Sequence, residues 1–192
     1  MNSGIPFGER PESHRNIMGN TEQPWVHVDA VNFLFQNIKK SHTGFEFGSG
    51  SSTFWFSKFT KKIFSVESDE EWYKKTSEKR DEFDIKNIDI SLVVCPMLKI
   101  WDIDTEIGED YEKYSNEILK AGKKFDYISI DGVARSLCIK KSIDLLKPGG
   151  YLIIDNSERP AYWGAMECIP KNWESFIFTN PVDQTSIFKK PF

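Results

Sequence analysis

Five short apolar-rich runs, 44–47, 62–66, 88–94, 125–130 and 151–154, are each separated from the next by enough chain to hold a helix. Parallel strands cannot be joined by a tight turn; they need a crossover of a dozen or more residues, usually helical. The spacing therefore predicts an α/β chain, a doubly wound and mostly parallel sheet with helices on both faces. Two more runs, 175–179 and 185–188, flank the turn sequence Asn180-Pro181-Val182-Asp183. They lie too close for a crossover, so the seven-stranded sheet is expected to end in an antiparallel hairpin.

The intervening segments carry helical signals. From Pro24, apolar residues recur at three- and four-residue spacing (Trp25, Val28, Val31, Leu34, Phe35, Ile38) and the pattern closes on Lys39 and Lys40, cations that suit a helix C-terminus. Ser68, with Glu71 three positions on, reads as a capping box for a helix reaching about Phe83. Helices are also expected around 111–120 and over 133–146, the second stopped by Pro148-Gly149-Gly150. Residues 1–23 are polar and turn-rich and read as an N-terminal arm or lid, followed by a single domain over 24–192.

With 192 residues, the chain can bury one ordinary core. Its 25 basic and 29 acidic side chains give a net charge of -4, which argues against sequence-independent nucleic-acid binding, since that needs a basic face. Cys95, Cys138 and Cys168 have neither disulfide-framework nor zinc-site spacing. No leader-like apolar segment opens the chain and no run reaches the ~20 residues of a membrane span. A cytoplasmic protein acting on a small molecule, with no nucleic-acid or membrane partner, is expected; a homodimer stays open.

Ligands of open α/β sheets sit at the carboxyl ends of the strands, where strand order reverses. The first loop there is Glu46-Phe47-Gly48-Ser49-Gly50-Ser51-Ser52-Thr53. Gly48 and Gly50 permit positive φ and close approach of a ligand, and the following helix offers free N–H groups. Glu67 ends the second strand 17 positions after Gly50, where a carboxylate can accept from both hydroxyls of a ribose. A dinucleotide fingerprint would place Gly or Ala where Thr53 stands. That weakens a nicotinamide-dependent oxidoreductase and favours a ligand without pyrophosphate; a non-catalytic binding module of the same fold is the other alternative.

Taken in order, E-F-G-S-G-S-S-T (46–53), V-E-S (66–68), F-D-Y-I-S-I-D-G (125–132) and L-L-K-P-G-G-Y-L-I-I-D-N (145–156) resemble the class I S-adenosylmethionine-dependent methyltransferases over residues 24–190. The resemblance implies a Rossmann-like fold and S-adenosyl-L-methionine as cofactor, used by a small-molecule O-methyltransferase. It implies that Glu46 and the loop Gly48, Ser49 and Gly50 hold the methionine part, Glu67 the ribose, and residues around Cys95, Pro96 and Met97 the adenine, with Ser52, Thr53, Ser68 and Asp131 as further cofactor contacts.

Methyl transfer requires a positioned acceptor and, for a hydroxyl, help in losing its proton. Asp131 ends the fourth strand and Asp155 the fifth, so both are expected at the cofactor's edge of the sheet. Asp131 and His27 are the candidate catalytic residues. Arg135, Asn156, Arg159 and Tyr162 are candidate substrate contacts, the arginines for an anionic group. Asp131, Asp155 and Asn156 also resemble the Mg2+ ligands of catechol-type O-methyltransferases, although the neighbours Gly132-Val133-Ala134-Arg135 depart from that pattern. The expected reaction moves a methyl group to a hydroxyl, less readily an amine, of a small polar or sugar-like metabolite.

Overall fold

The computed structural model describes residues 24, 26–96, 108–181 and 183–192. The expected arm over 1–23, Trp25, Met97 and part of the acidic segment after it lie outside the described residues. Strands β1 (Thr43–Phe47), β2 (Lys62–Glu67), β3 (Ile88–Leu92), β4 (Phe125–Ile130) and β5 (Leu146–Asp155) pair in parallel, and β6 (Glu174–Thr179) and β7 (Gln184–Lys189) form the antiparallel hairpin. The sheet order is β3-β2-β1-β4-β5-β7-β6, with β7 antiparallel against β5. The order reverses between β1 and β4, which is where the expected cofactor loop begins.

Helices α1 (Val28–Asn37) and α2 (Ser51–Phe59) pack one apolar layer, in which Leu34, Phe54 and Phe56 meet Ile63, Tyr127 and Ile153. Helix α3 (Glu70–Glu82) lies beside α2, with Lys79 Nζ 4.9 Å from the Phe54 ring centroid. Helices α4 (Glu109–Lys120), α5 (Arg135–Leu145) and α6 (Pro160–Met166) build the other layer, in which Tyr114, Ile118 and Ile139 cover Phe45, Phe47, Ile130 and Ile154. The alternation along β1 is simple: Phe45 and Phe47 enter the second layer, so Gly44 and Glu46 face α2. Gly44 makes room for the Tyr127 ring, which stands where a Cβ would be.

Four boundaries differ from the expectation. Helix α1 is capped by His27 and ends at Asn37, because Ile38 is already extended; Lys39 and Lys40 fall in the link to β1. The cap of α3 is Asp69, whose side chain accepts from Trp72 N–H, in place of Ser68. β5 starts at Leu146, so Pro148-Gly149-Gly150 lies inside a strand. It does so where the β4–β5 register is irregular, as strand prolines require, and a Cβ on Gly150 would come 2.8 Å from Asp126 O. The short helix α6, with Pro160 in its first turn, was not foreseen.

Candidate active site

The loop after β1 turns at Gly48, whose φ is +90°. A Cβ there would stand 2.8 Å from the backbone of Gly132, so the loops following β1 and β4 abut backbone to backbone. Asp131 N–H donates to Phe47 O at 2.9 Å and fixes this junction. Gly50, which could have taken a positive φ, is extended at 167°. Its Cβ position faces Trp72 Nε1 at 3.4 Å. Trp72, in the first turn of α3, donates its indole N–H to Ser49 O and closes the outer side of the loop. Sequence reasoning missed Trp72; its place in the first turn after the strand-ending acid is the one signal that could have found it.

Under the loop lies Glu46, completely buried. It accepts from Ser52 Oγ and Thr53 Oγ1, both in the first turn of α2, and from Ser65 Oγ on β2. Thr53 Oγ1 in turn accepts from Gly50 N–H at 2.9 Å. Burial outweighs these hydrogen bonds and pushes the Glu46 carboxyl up to about 7, helped by the negative charge of Asp131.

Glu67 is also buried, at the end of β2. One of its oxygens accepts from Ser49 N–H and Ser49 Oγ at 2.8 and 2.9 Å, the other from Ser68 N–H and Asp69 N–H at 2.7 and 3.0 Å. With the longer bond from Ser68 Oγ at 3.4 Å, five protein donors fill its lone-pair directions, and a ribose would displace a rotatable hydroxyl among them. Next to it opens a cavity of about 330 Å3, lined by Ser68 to Glu71 on one side, Val94 and Cys95 on another, and Val133. Cys95 N–H donates to Ser68 O, and Pro96 O accepts from Tyr111 Oη at 2.7 Å, which ties the β3 exit to β2 and α4. The volume falls within the ~300–1,000 Å3 typical of small-molecule sites.

The β4 and β5 ends are organised by Arg135, and here the structure departs from expectation. Its side chain is buried. Nε donates to Gly132 O, Nη1 to Asp155 O and Asn156 Oδ1, and Nη2 to Asp131 O and Oδ1. All five N–H groups are used within the protein, so Arg135 has no donor left for a substrate anion. The same geometry speaks against the Mg2+ set: Asp131 Oδ1 and Asn156 Oδ1 both point at the guanidinium, and Asp155 Oδ1 accepts from Thr185 Oγ1 at 3.0 Å. A fixed cation already neutralises the cluster. No group of three or more His, Cys, Asp or Glu among the described residues could hold a metal ion. The Asp131 and Asp155 carboxyls are both held above their ordinary range, chiefly by burial and against the pull of Arg135.

His27 reaches this network from the far side. Its backbone N–H donates to Thr185 Oγ1 at 3.0 Å, its Nδ1 accepts from Asp29 N–H, and its ring stacks on Phe178. It thus anchors α1 to the hairpin beside Asp155; no contact joins it to Asp131. Tyr162, expected to face a substrate, is buried with its ring 5.6 Å from the Arg135 guanidinium carbon. Its neighbour Trp163 is exposed. Arg159 caps α6, and its charge reaches Asp131.

No protein-family model matches the chain, and neither does any curated protein sequence. Solved structures do. An rRNA methylase from Streptococcus thermophilus superposes with a TM-score of 0.62 at 15% identity, over 84% of this chain and 93% of that one. A Streptococcus mutans protein provisionally assigned as a methyltransferase, in complex with SAH, gives 0.62 at 17% identity over 83% and 94%. A precorrin-6y C5,15-methyltransferase from Geobacter metallireducens gives 0.60 at 13% identity over 85% and 87%. The chain has the Rossmann-like fold that these proteins share.

Proposed function

We propose that this chain is a class I S-adenosylmethionine-dependent methyltransferase that acts on a hydroxyl, less readily an amine, of a small polar or sugar-like metabolite. One observation carries the reading. The glycine turn sits at the switch point of the sheet, and the acid ending β2 lies between that turn and a half-open cavity of about 330 Å3. Among neighbours of this fold, one holds SAH. The donor set suits the cofactor: an acid for ribose hydroxyls, a mixed polar and apolar cavity for a purine, and helix-start N–H groups for a carboxylate. It suits a dinucleotide poorly. Thr53, at the position of the third glycine, puts a side chain bound to Glu46 where the dinucleotide fingerprint has Gly or Ala.

The bound cofactor supplies an electrophilic methyl group on a sulfonium. The protein's part is to hold the acceptor beside it and take up its proton. Asp131 sits at the β4 exit, pinned by Arg135 and next to the glycine turn. Its raised proton affinity, with burial as the main cause, suits a group that accepts a proton from a hydroxyl as the carbon–oxygen bond forms.

Calorimetric titration with S-adenosylhomocysteine tests the reading; saturable binding is expected, and none at high micromolar ligand would overturn it. Glu67→Ala is expected to weaken that binding by about 1–3 kcal/mol, the value of a lost charged acceptor. Unchanged affinity in a variant with an unshifted melt would remove Glu67 from the site.

A further inference from the structure

The net charge of -4 averages over two unlike edges. The carboxyl edge of the sheet carries Glu67, Asp69, Glu70, Asp131, Asp155 and Glu158. At the opposite edge all five parallel strands begin, the helices leading into them end, and β7 terminates. That amino edge is rich in lysine. Lys39 leads into β1, Lys61 into β2, and Lys123 and Lys124 into β4, all four exposed. Lys147 opens β5 and Lys190 follows β7. These charges form one patch: Lys39 and Lys147 both bear on His42, Lys124 bears on Lys190, and Lys62 and Lys123 flank the Phe64 ring at 5.4 and 5.1 Å. Carboxylates answer part of the patch, Asp89 pairing with Lys62, Asp126 with Lys147 and Glu174 with Lys189. Among the described residues, Lys39, Lys61, Lys123 and Lys124 are in no ion pair.

Rings stand among the lysines. Phe35 near the end of α1, Phe83 at the end of α3 and Phe192 after β7 are 47%, 60% and 99% exposed. All the strongly exposed phenylalanines of the described chain thus lie at this edge. Counting strands from β3 to β7 at ~4.8 Å each, they span about 25 Å. Exposed flat rings interleaved with flexible point charges are what a single-stranded nucleic acid uses, its bases stacking and its phosphates pairing. A membrane surface would ask for a contiguous apolar face, and an acidic protein would leave the rings unused.

We propose that the amino edge of the sheet, from the loop before β3 across to the end of β7, is a docking surface for single-stranded RNA. RNA is preferred to DNA because a ribose strand holds its phosphates closer together, nearer the spacing of adjacent strand entries. The surface is separate from the cofactor site, since β4 puts ~20 Å between the two edges. The strand binds as a tether or recruiting element, apart from the small acceptor of the proposed reaction.

The test is fluorescence anisotropy with a labelled twelve-nucleotide oligouridylate on the full chain at 50 and 200 mM salt. The wild type is expected to bind, and to bind at least tenfold more weakly at the higher salt. The triple variant Lys39→Glu/Lys61→Glu/Lys124→Glu should lose at least tenfold in affinity, with a shallower salt slope. Phe35→Ala/Phe192→Ala should lose about tenfold with the slope unchanged. Each variant is first shown to keep the wild-type melt and S-adenosylhomocysteine affinity, which separates this proposal from the cofactor reading. Absence of RNA binding by the wild type, or full binding by the lysine triple variant, overturns it. Equal binding of the matching DNA overturns the choice of RNA, and sedimentation with phosphatidylserine vesicles in place of RNA binding assigns the edge to a membrane.

Discussion

Replacing Arg135 by leucine will lower the free energy of unfolding by about 3–5 kcal/mol, the cost of removing one partner from a buried ionic network. For a chain of this length the melting temperature should fall by roughly 10 °C. The guanidinium satisfies three backbone carbonyls, of Asp131, Gly132 and Asp155, together with Asp131 Oδ1 and Asn156 Oδ1. Leucine fills much of the volume but leaves those acceptors buried without a donor and two carboxyls facing each other without a cation. Acidification should soften the loss, because protonated Asp131 and Asp155 no longer repel. Lysine should recover only part of it, since one ammonium cannot reach carbonyls on both strands. Denaturant unfolding at pH 5 and pH 8 measures both effects. A loss below about 1 kcal/mol at pH 8 would show that the network contributes little, and the assignment of Arg135 as the fixed cation of the site would fall with it.

Arg135 also shows where the sequence stops being legible. The strands could be read because buried parallel strands are short apolar runs, and the glycine turn because few other residues permit the φ of Gly48. Glu67 could be placed because it ends an apolar run, whereas Glu46, inside its run, was placed by the family resemblance alone. What Arg135 does depends on β4 lying next to β5, which brings Asp155 and Asn156, 20 and 21 positions away in sequence, onto the guanidinium. No local pattern encodes that meeting, so a residue that reads as a substrate anchor turns out to be an internal one. Trp72 was missed for the same reason: its partner, Ser49 O, is 23 positions away. Gly50 does not use the positive φ that glycine permits, since its backbone is extended and the nearness of the Trp72 ring is what restricts its side. The uneven charge of the two edges is likewise invisible in the net figure, because it emerges only once the crossovers put the entries of all five parallel strands on one side.

Glu46 should make the protein less stable as the pH rises, which is the reverse of the usual behaviour of a paired carboxylate. In the unfolded chain its carboxyl titrates near 4.5; in the fold burial raises it to about 7. Between those values the folded state keeps a proton that the unfolded state has released. The unfolding free energy therefore falls by about 1.4 kcal/mol per pH unit through this window, reaching ~3 kcal/mol in all, and this contribution is flat below and above. The carboxyls of Asp131 and Asp155 are displaced in the same direction, so the wild-type curve alone does not isolate Glu46. Glu46→Gln does, because the amide carries no charge at any pH and can still accept from one hydroxyl of Ser52, Thr53 or Ser65 while donating to another. Relative to the wild type, the glutamine variant should gain about 3 kcal/mol between pH 4.5 and pH 8, read as the widening gap between two series of urea melts. Parallel series would mean that the three hydroxyls, with the N–H of Gly50 behind Thr53, hold the carboxylate ionised despite its burial. The acid under the glycine turn would then be a permanent charge, and a cationic ligand end above it would be drawn in at every pH.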